Sequence, residues 1–373
     1  MRFASALYSL GIVGVAARAA AEALSDDKVD FLKKRLALNS TDVWVSGTRI
    51  EALLETDYPR LSVLDAPYIP PALPVPAETD DIIASWAAQR IEDCDQFYCV
   101  DGGAAGDPAS LGVGWILAAQ RSASLVPAVD DEVDYLMEKV KRAEDGTMSM
   151  RQEDEPLSYW NDFIYMVPPF LAYYGIAYHN ETVLDESFKQ IELYRNRLQD
   201  NSTGLWMHIS EGWVTDSGLW TRGNGWAAAG MLRVAATFAK STYWSRYETH
   251  TQQLISWIDE ILVAAFSRIR SDILLPNYLD RPADETFSDT ASSAILASVS
   301  YRLAALGWQQ TSTNLAVAEK LRLAVNAGIN KTTGWIAPAV NPVSWEENSG
   351  ESPEGVAFAL LLDAAYRAYI AAA

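Results

Sequence analysis

The chain has 373 residues, 49% of them hydrophobic and 11% aromatic, which is ample material for a large core and the wrong composition for disorder. Its formal net charge of −20 excludes a nucleic-acid surface, because neutralising phosphates needs a basic face. Acidity does not exclude an anionic ligand, since one buried arginine can set the local potential while the global field only slows encounter.

The N-terminus opens with Met1-Arg2-Phe3, runs through apolar and small residues to Ala17, and reaches Ala17-Arg18-Ala19 and Ala19-Ala20-Ala21 before Glu22. This is the shape of a secretory signal over residues 1–21, so the mature protein is expected to be secreted and extracellular. The segment is short for a membrane span and Arg18 interrupts it; no other stretch reaches spanning length, and no membrane partner is expected. The other reading is an alanine-rich first helix of the mature fold. Four Asn-x-Ser/Thr sequons, at Asn39, Asn180, Asn201 and Asn330, fit a glycosylated secreted protein of a eukaryote, fungal in type. Cys94 and Cys99 are the only cysteines and can close one small loop in an oxidising compartment. Three histidines, His179, His208 and His250, are too few for a multi-histidine metal centre, and neither a metal nor a cofactor is expected.

Helical periodicity dominates, and no two-residue alternation is sustained long enough to build a sheet. The pattern predicts helices near 27–37, 46–56, 79–91, 108–122, 130–143, 160–176, 184–199, 224–239, 242–266, 287–306, 312–328 and 353–371. Breakers separate them, and the long connections at 201–218 and 331–352 are the kind that carry function in compact folds. No repeat or shift in composition marks a second domain, so residues 22–373 read as one domain. About twelve helices in hairpins suit a closed α/α toroid or an open solenoid; the apolar end Leu360-Leu361-Leu362 favours closure.

The stretch Trp220-Thr221-Arg222-Gly223-Asn224-Gly225-Trp226 puts a fixed cation and two indoles around a glycine-relaxed backbone. A guanidinium fork suits a carboxylate and an indole face suits a pyranose ring. Gly223 and Gly225 allow close approach or positive φ. The same residues also fit a glycine-rich helix start packed by core tryptophans. Asp162, after Trp160-Asn161, stands at the mouth of a very apolar helix. It is either a helix N-cap or, in a low-dielectric pocket, a general acid favoured in its protonated form. His208 lies in an aromatic loop between Trp206 and Trp213 and reads as a ligand-binding donor or an ordinary loop histidine. Asp107, before Pro108, reads as a helix start or a substrate contact.

Trp160-x-Asp162 with its Tyr-Met-x-x-Pro-Phe-Leu continuation, His208 on its loop, and Trp220-x-Arg-Gly-Asn-Gly-Trp226 together resemble the unsaturated rhamnogalacturonyl hydrolases, glycoside hydrolase family 105. The likeness spans roughly residues 100–370, with weaker echoes at Asp289-Thr290-Ala291-Ser292 and Glu354-Gly355-Val356-Ala357-Phe358. It implies an all-α, single-domain (α/α)6 barrel acting on oligosaccharides that end in a 4,5-unsaturated uronic acid; a monomer is expected. It further implies that Asp162 is the catalytic acid/base, with Asp107, Trp160, His208, Trp220, Arg222 and Trp226 binding substrate. Hydration of the double bond, rather than attack flanked by two carboxylates, then releases the aglycone. One place departs from the family: Arg151 stands eleven positions before Asp162, where a histidine is usual, and a guanidinium cannot exchange protons as imidazole does. The alternatives are the related unsaturated glucuronyl hydrolases of family 88, or a carbohydrate-binding toroid without catalysis.

Overall fold

A computed structural model describes residues 23–40, 42–71, 104–152, 155–308 and 312–373. The expected signal at 1–21, the expected helix at 79–91 and both cysteines lie outside the described residues. Within them are eleven α-helices: α1 Asp26–Ala37, α2 Val43–Asp57, α3 Gly112–Ala119, α4 Val126–Asp134, α5 Phe163–Ala177, α6 Glu181–Leu198, α7 Thr221–Ala239, α8 Trp244–Phe266, α9 Thr290–Ala305, α10 Ser312–Gly328 and α11 Pro353–Ala372. A 3₁₀ turn, Asp107–Leu111, leads into α3, and a π-helical turn, Tyr135–Lys139, ends α4. Both fall where the sequence pattern predicts one continuous helix. The described strands make two short antiparallel ribbons, β1 (Tyr159–Trp160) with β2 (Ile209–Ser210) and β3 (Val340–Asn341) with β4 (Ser344–Asn348).

The helices form two layers, an (α/α)6 barrel. The inner ring runs α2, the 107–119 segment, α5, α7, α9 and α11, and α11 packs back on α2 to close it. Sequence explains which helices go inside. α7 and α9 are buried nearly all round, and each carries a run of small residues, Ala227-Ala228-Ala229-Gly230 and Ala291-Ser292-Ser293-Ala294. An outer helix such as α8 buries one stripe only, Leu254, Ile258, Ile261 and Leu262, at the spacing of an amphipathic helix. α11 is long and apolar enough to cross a membrane, contrary to the expectation from sequence, but 67% of its most apolar window is buried in the barrel.

Two features lock the inner ring. Pro168 lacks an N–H and frees the Ile164 carbonyl of α5, and Gly230 of α7 packs against that carbonyl so closely that a Cβ would stand 2.0 Å from it. A buried ion network then joins three inner elements. Arg233 of α7 reaches Glu51 and Glu55 of α2 at 3.4 and 2.5 Å, and Arg302 of α9 reaches Glu55 and Asp65 at 2.8 and 2.7 Å.

Candidate active site

The inner helices open at their N-terminal ends onto a cavity of 290 Å³. Trp44 comes from the first turn of α2, Asp107 opens the 3₁₀ turn, Asp162 and Trp220 immediately precede α5 and α7, and Glu354 is in the first turn of α11. The ribbons and loops supply the other walls: Trp160 on β1, His208 just before β2, Trp345 on β4, and Arg151. Helix N-termini present unpaired N–H groups and the positive end of the helix dipole. A cavity ringed by them favours an anion, even in a protein of net charge −20.

Asp162 occupies the N-cap position of α5, yet its side chain makes no capping hydrogen bond. The carboxyl lines the cavity, 16% of the side chain is exposed, and Oδ2 has no hydrogen-bond partner. Burial raises its pKa above the ordinary aspartate value, and His208 and Arg222 oppose the shift without cancelling it. The structure therefore separates the two sequence readings of this residue. It stands where a cap would be, but its carboxyl is left for the cavity.

His208 Nε2 is 3.7 Å from Asp162 Oδ2, beyond hydrogen-bond reach but within strong electrostatic range. Its Nδ1 is 3.0 Å from Asp216 Oδ2, which also accepts from the Tyr278 hydroxyl, while Oδ1 accepts from the Gly218 N–H at 2.9 Å. Burial pushes the Asp216 pKa up, but the bonds from His208, Tyr278 and Gly218 outweigh it and hold the group below its ordinary value. Asp216 is thus an ionised acceptor that fixes the proton on Nδ1 and leaves Nε2 for Asp162. The ring is boxed by indoles: Trp220 at 4.2 Å, Trp345 at 5.1 Å and Trp160 at 5.6 Å between centroids.

The 220–226 stretch divides between its two sequence readings, Trp220 taking the ligand side and the rest the packed helix start. Trp220 faces the cavity, with Nε1 donating to Asn277 Oδ1 at 3.0 Å. Arg222 does not line the cavity. Only 1% of its side chain is exposed, and its charge is committed to Glu354 at 2.5 Å and Asp289 at 3.6 Å, with a further bond to the Val340 carbonyl. Trp226 does not line it either; it packs in the barrel interior on Tyr165 and Phe358, at 4.5 and 4.7 Å. The reason is helical period: α7 begins at Thr221, so Arg222 and Trp226 share one face and meet Glu354 and Phe358, also four apart, on α11. The glycines serve close approach rather than positive φ. A Cβ on Gly223 would stand 2.0 Å from Asn161 Oδ1, and one on Gly225 2.4 Å from Ile295 Cγ2. Asn224 ties the loops together, accepting from the Trp206 N–H at 2.8 Å and donating to the Trp206 and Trp220 carbonyls at 2.9 Å each.

The model of Glycosyl Hydrolase Family 88 matches residues 77–297. The chain belongs to that family. The match contains Asp107, Trp160, Asp162, His208 and Trp220, whereas Trp44, Trp345 and Glu354 lie outside it. Solved structures of similar fold include a possible family 105 member from Salmonella enterica, 16% identical, with a TM-score of 0.72 over 92% of this chain and 94% of that one. A family 105 glycoside hydrolase of C. acetobutylicum is 14% identical, with a TM-score of 0.68 over 91% and 99%. An unsaturated glucuronyl hydrolase specific for heparin is 12% identical, with a TM-score of 0.64 over 92% and 97%. No curated protein sequence matches the chain.

This family 88 glycosidase thus carries a set of cavity residues that sequence reading singled out, Asp107, Trp160, Asp162, His208 and Trp220, together with Glu354, which it met only as a weak echo of the family, and Trp44 and Trp345, which it did not name. Asp216 was also missed, being outside the cavity and acting through His208. An Asp216→Asn variant is expected to lower kcat by about ten- to a hundredfold, at or below the usual worth of a positioned acid–base group, by releasing the proton on Nδ1. The loss should come with a displaced pH profile, whereas a merely structural defect would lower the rate equally at every pH.

Proposed function

We propose that this family 88 enzyme removes a 4,5-unsaturated uronic acid, an unsaturated galacturonyl group, from the non-reducing end of pectin-derived rhamnogalacturonan oligosaccharides. The observation that carries the reading is Asp162: a carboxyl whose Oδ2 has no hydrogen-bond partner, biased by burial toward its acid form, facing a cavity of indoles at the N-termini of the inner helices. The indoles suit a sugar ring, and the helix ends suit its carboxylate.

In this reading protonated Asp162 delivers its proton to C4 of the double bond, and the developing positive charge at C5 takes up water. The resulting carboxylate of Asp162 accepts a proton from that water, so the group ends as it began. The hemiketal left at C5 opens and releases the aglycone. His208, oriented by Asp216, stands beside the acid through both proton movements. Arg222, 1% exposed, acts through its field on Asp162 and by holding Glu354 in the wall.

The test is loss of the ultraviolet absorbance of the unsaturated ring, followed on a panel of lyase-generated disaccharides. Unsaturated galacturonyl-rhamnose is expected to be consumed fastest. Faster consumption of unsaturated glucuronyl disaccharides would move the assignment to that substrate, and ligand binding with no loss of absorbance would make the protein a non-catalytic toroid.

A further inference from the structure

A second cavity of 230 Å³ opens beside the first, and Arg151 and Trp160 wall both. Its remaining walls include Glu155, Ser158, Trp213 and Val214. Trp213 is 73% exposed, an unusual setting for an indole in a chain that buries most of its aromatics. It is nevertheless held. Ile209 and Asp216 exchange two backbone hydrogen bonds, 2.8 and 3.0 Å, closing a hairpin whose tip carries Trp213. At that tip Glu211 and Gly212 take left-handed φ of 61° and 89°. Gly212 packs so tightly on Ser158 that a Cβ would lie 2.8 Å from its Oγ, and that Oγ donates to the Glu211 carbonyl at 3.3 Å. The same oxygen accepts from Trp160 Nε1 at 2.9 Å, and the Glu211 carboxylate bonds Arg197 at 2.9 Å. The base of this hairpin carries His208 and Asp216, so its tip is tied mechanically to the acid site.

Arg151, which lines this cavity together with Trp213, is already engaged. Its Nε and Nη2 donate to the two oxygens of Glu155 at 3.0 and 2.9 Å, a bidentate pair. The wall therefore offers hydroxyl partners without an uncompensated positive charge, and a second carboxylate entering here would meet Glu155.

We propose that the second cavity is the subsite for the leaving sugar, that it takes an uncharged ring stacked on Trp213, and that the Arg151–Glu155 pair disfavours an acidic one. The inference rests on the uronyl-hydrolase reading above and adds to it the residues that hold the leaving sugar and select against an acidic one. It also gives a physical place to the arginine that replaces the usual histidine: its charge is spent on Glu155 rather than on substrate.

Three substrates test it, each read by loss of ultraviolet absorbance: the unsaturated uronate as its methyl glycoside, joined to a neutral deoxyhexose, and joined to a second uronic acid. The wild-type enzyme should have its highest kcat/KM on the neutral disaccharide. In Trp213→Ala the ratio of kcat/KM for that disaccharide to that for the methyl glycoside should fall about tenfold, the size of a sugar–aromatic contact of about 1.4 kcal/mol. Trp213→Phe should restore most of the ratio. In Glu155→Gln the acidic disaccharide should gain on the neutral one. An unchanged ratio in Trp213→Ala, with the enzyme active, overturns the subsite and leaves the uronyl-hydrolase reading standing. A wild-type enzyme inert toward all three overturns both.

Discussion

Asp162→Asn is expected to lower kcat by about a thousandfold or more, in the upper range of what one positioned acid–base group supplies, while the affinity for an unsaturated uronide changes by no more than severalfold. The amide keeps the volume and the place of the carboxyl but can neither give nor take the proton. The pH dependence follows from the direction of the shift. Burial raises the Asp162 pKa, so the acid form persists above the pH at which an ordinary aspartate would have ionised, and activity should fall as pH rises through that raised value. Stability should move with it. A carboxyl whose pKa is higher in the folded than in the unfolded chain contributes stability that is fully present below the unfolded value and is lost as pH rises through the folded one. The inactive Asn variant should therefore match the wild type in urea denaturation at low pH and exceed it at neutral pH. A variant retaining a tenth of wild-type activity, or one no more stable than wild type at neutral pH, would remove Asp162 from the role of buried acid.

A helical toroid was legible in the sequence because its helices are periodic and the C-terminal one is apolar, signals that do not depend on distant contacts, while the six-fold barrel came with the family resemblance. Asp162 and His208 were legible because each is an isolated polar group in an apolar or aromatic neighbourhood. Trp44 and Trp345 were not, since one lies on α2 and the other on a ribbon in the 331–352 connection, and only closure of the ring brings them to one cavity. Asp216 sits in the unremarkable run Thr215-Asp216-Ser217, and nothing short of the hairpin that folds it under His208 reveals its role. The 220–226 stretch read two ways, as a clamp on an anionic ligand and as a glycine-rich helix start packed by core tryptophans. Its glycines fit the second, being spaces cut for Asn161 and Ile295 in a tightly packed helix start, while Trp220 keeps its place in the cavity wall. With the helix beginning at Thr221, the arginine and second tryptophan turn inward.

That inward turn decides what Arg222→Met should do. If Arg222 held the uronate directly, its loss would raise KM and leave the fold intact. In the structure the guanidinium is 1% exposed, and its nearest acids are Glu354, 4% exposed, and Asp289, fully buried. Removing the cation leaves a buried carboxylate without its partner, which costs about 3–5 kcal/mol where such pairs have been broken. Burial already raises the Glu354 pKa against the pull of Arg222 and of Trp44, whose Nε1 donates at 2.7 Å. Without Arg222 the pKa should rise further, and Glu354 should shed its charge by taking up a proton. The deficit in urea denaturation should accordingly be largest at pH 8 and shrink toward pH 5, because a group with a raised folded pKa loses its contribution as pH rises through that value. Adding Glu354→Gln to Arg222→Met should recover part of the lost stability, since the amide carries no charge to strand and still accepts from Trp44. A single variant within about 1 kcal/mol of wild type, the range of a surface ion pair, or a double variant whose losses simply add, would return Arg222 to the ligand side of the wall. The expected outcome places it behind the wall, as the cation that lets three carboxylates, Asp162, Asp289 and Glu354, stand together at one end of the barrel.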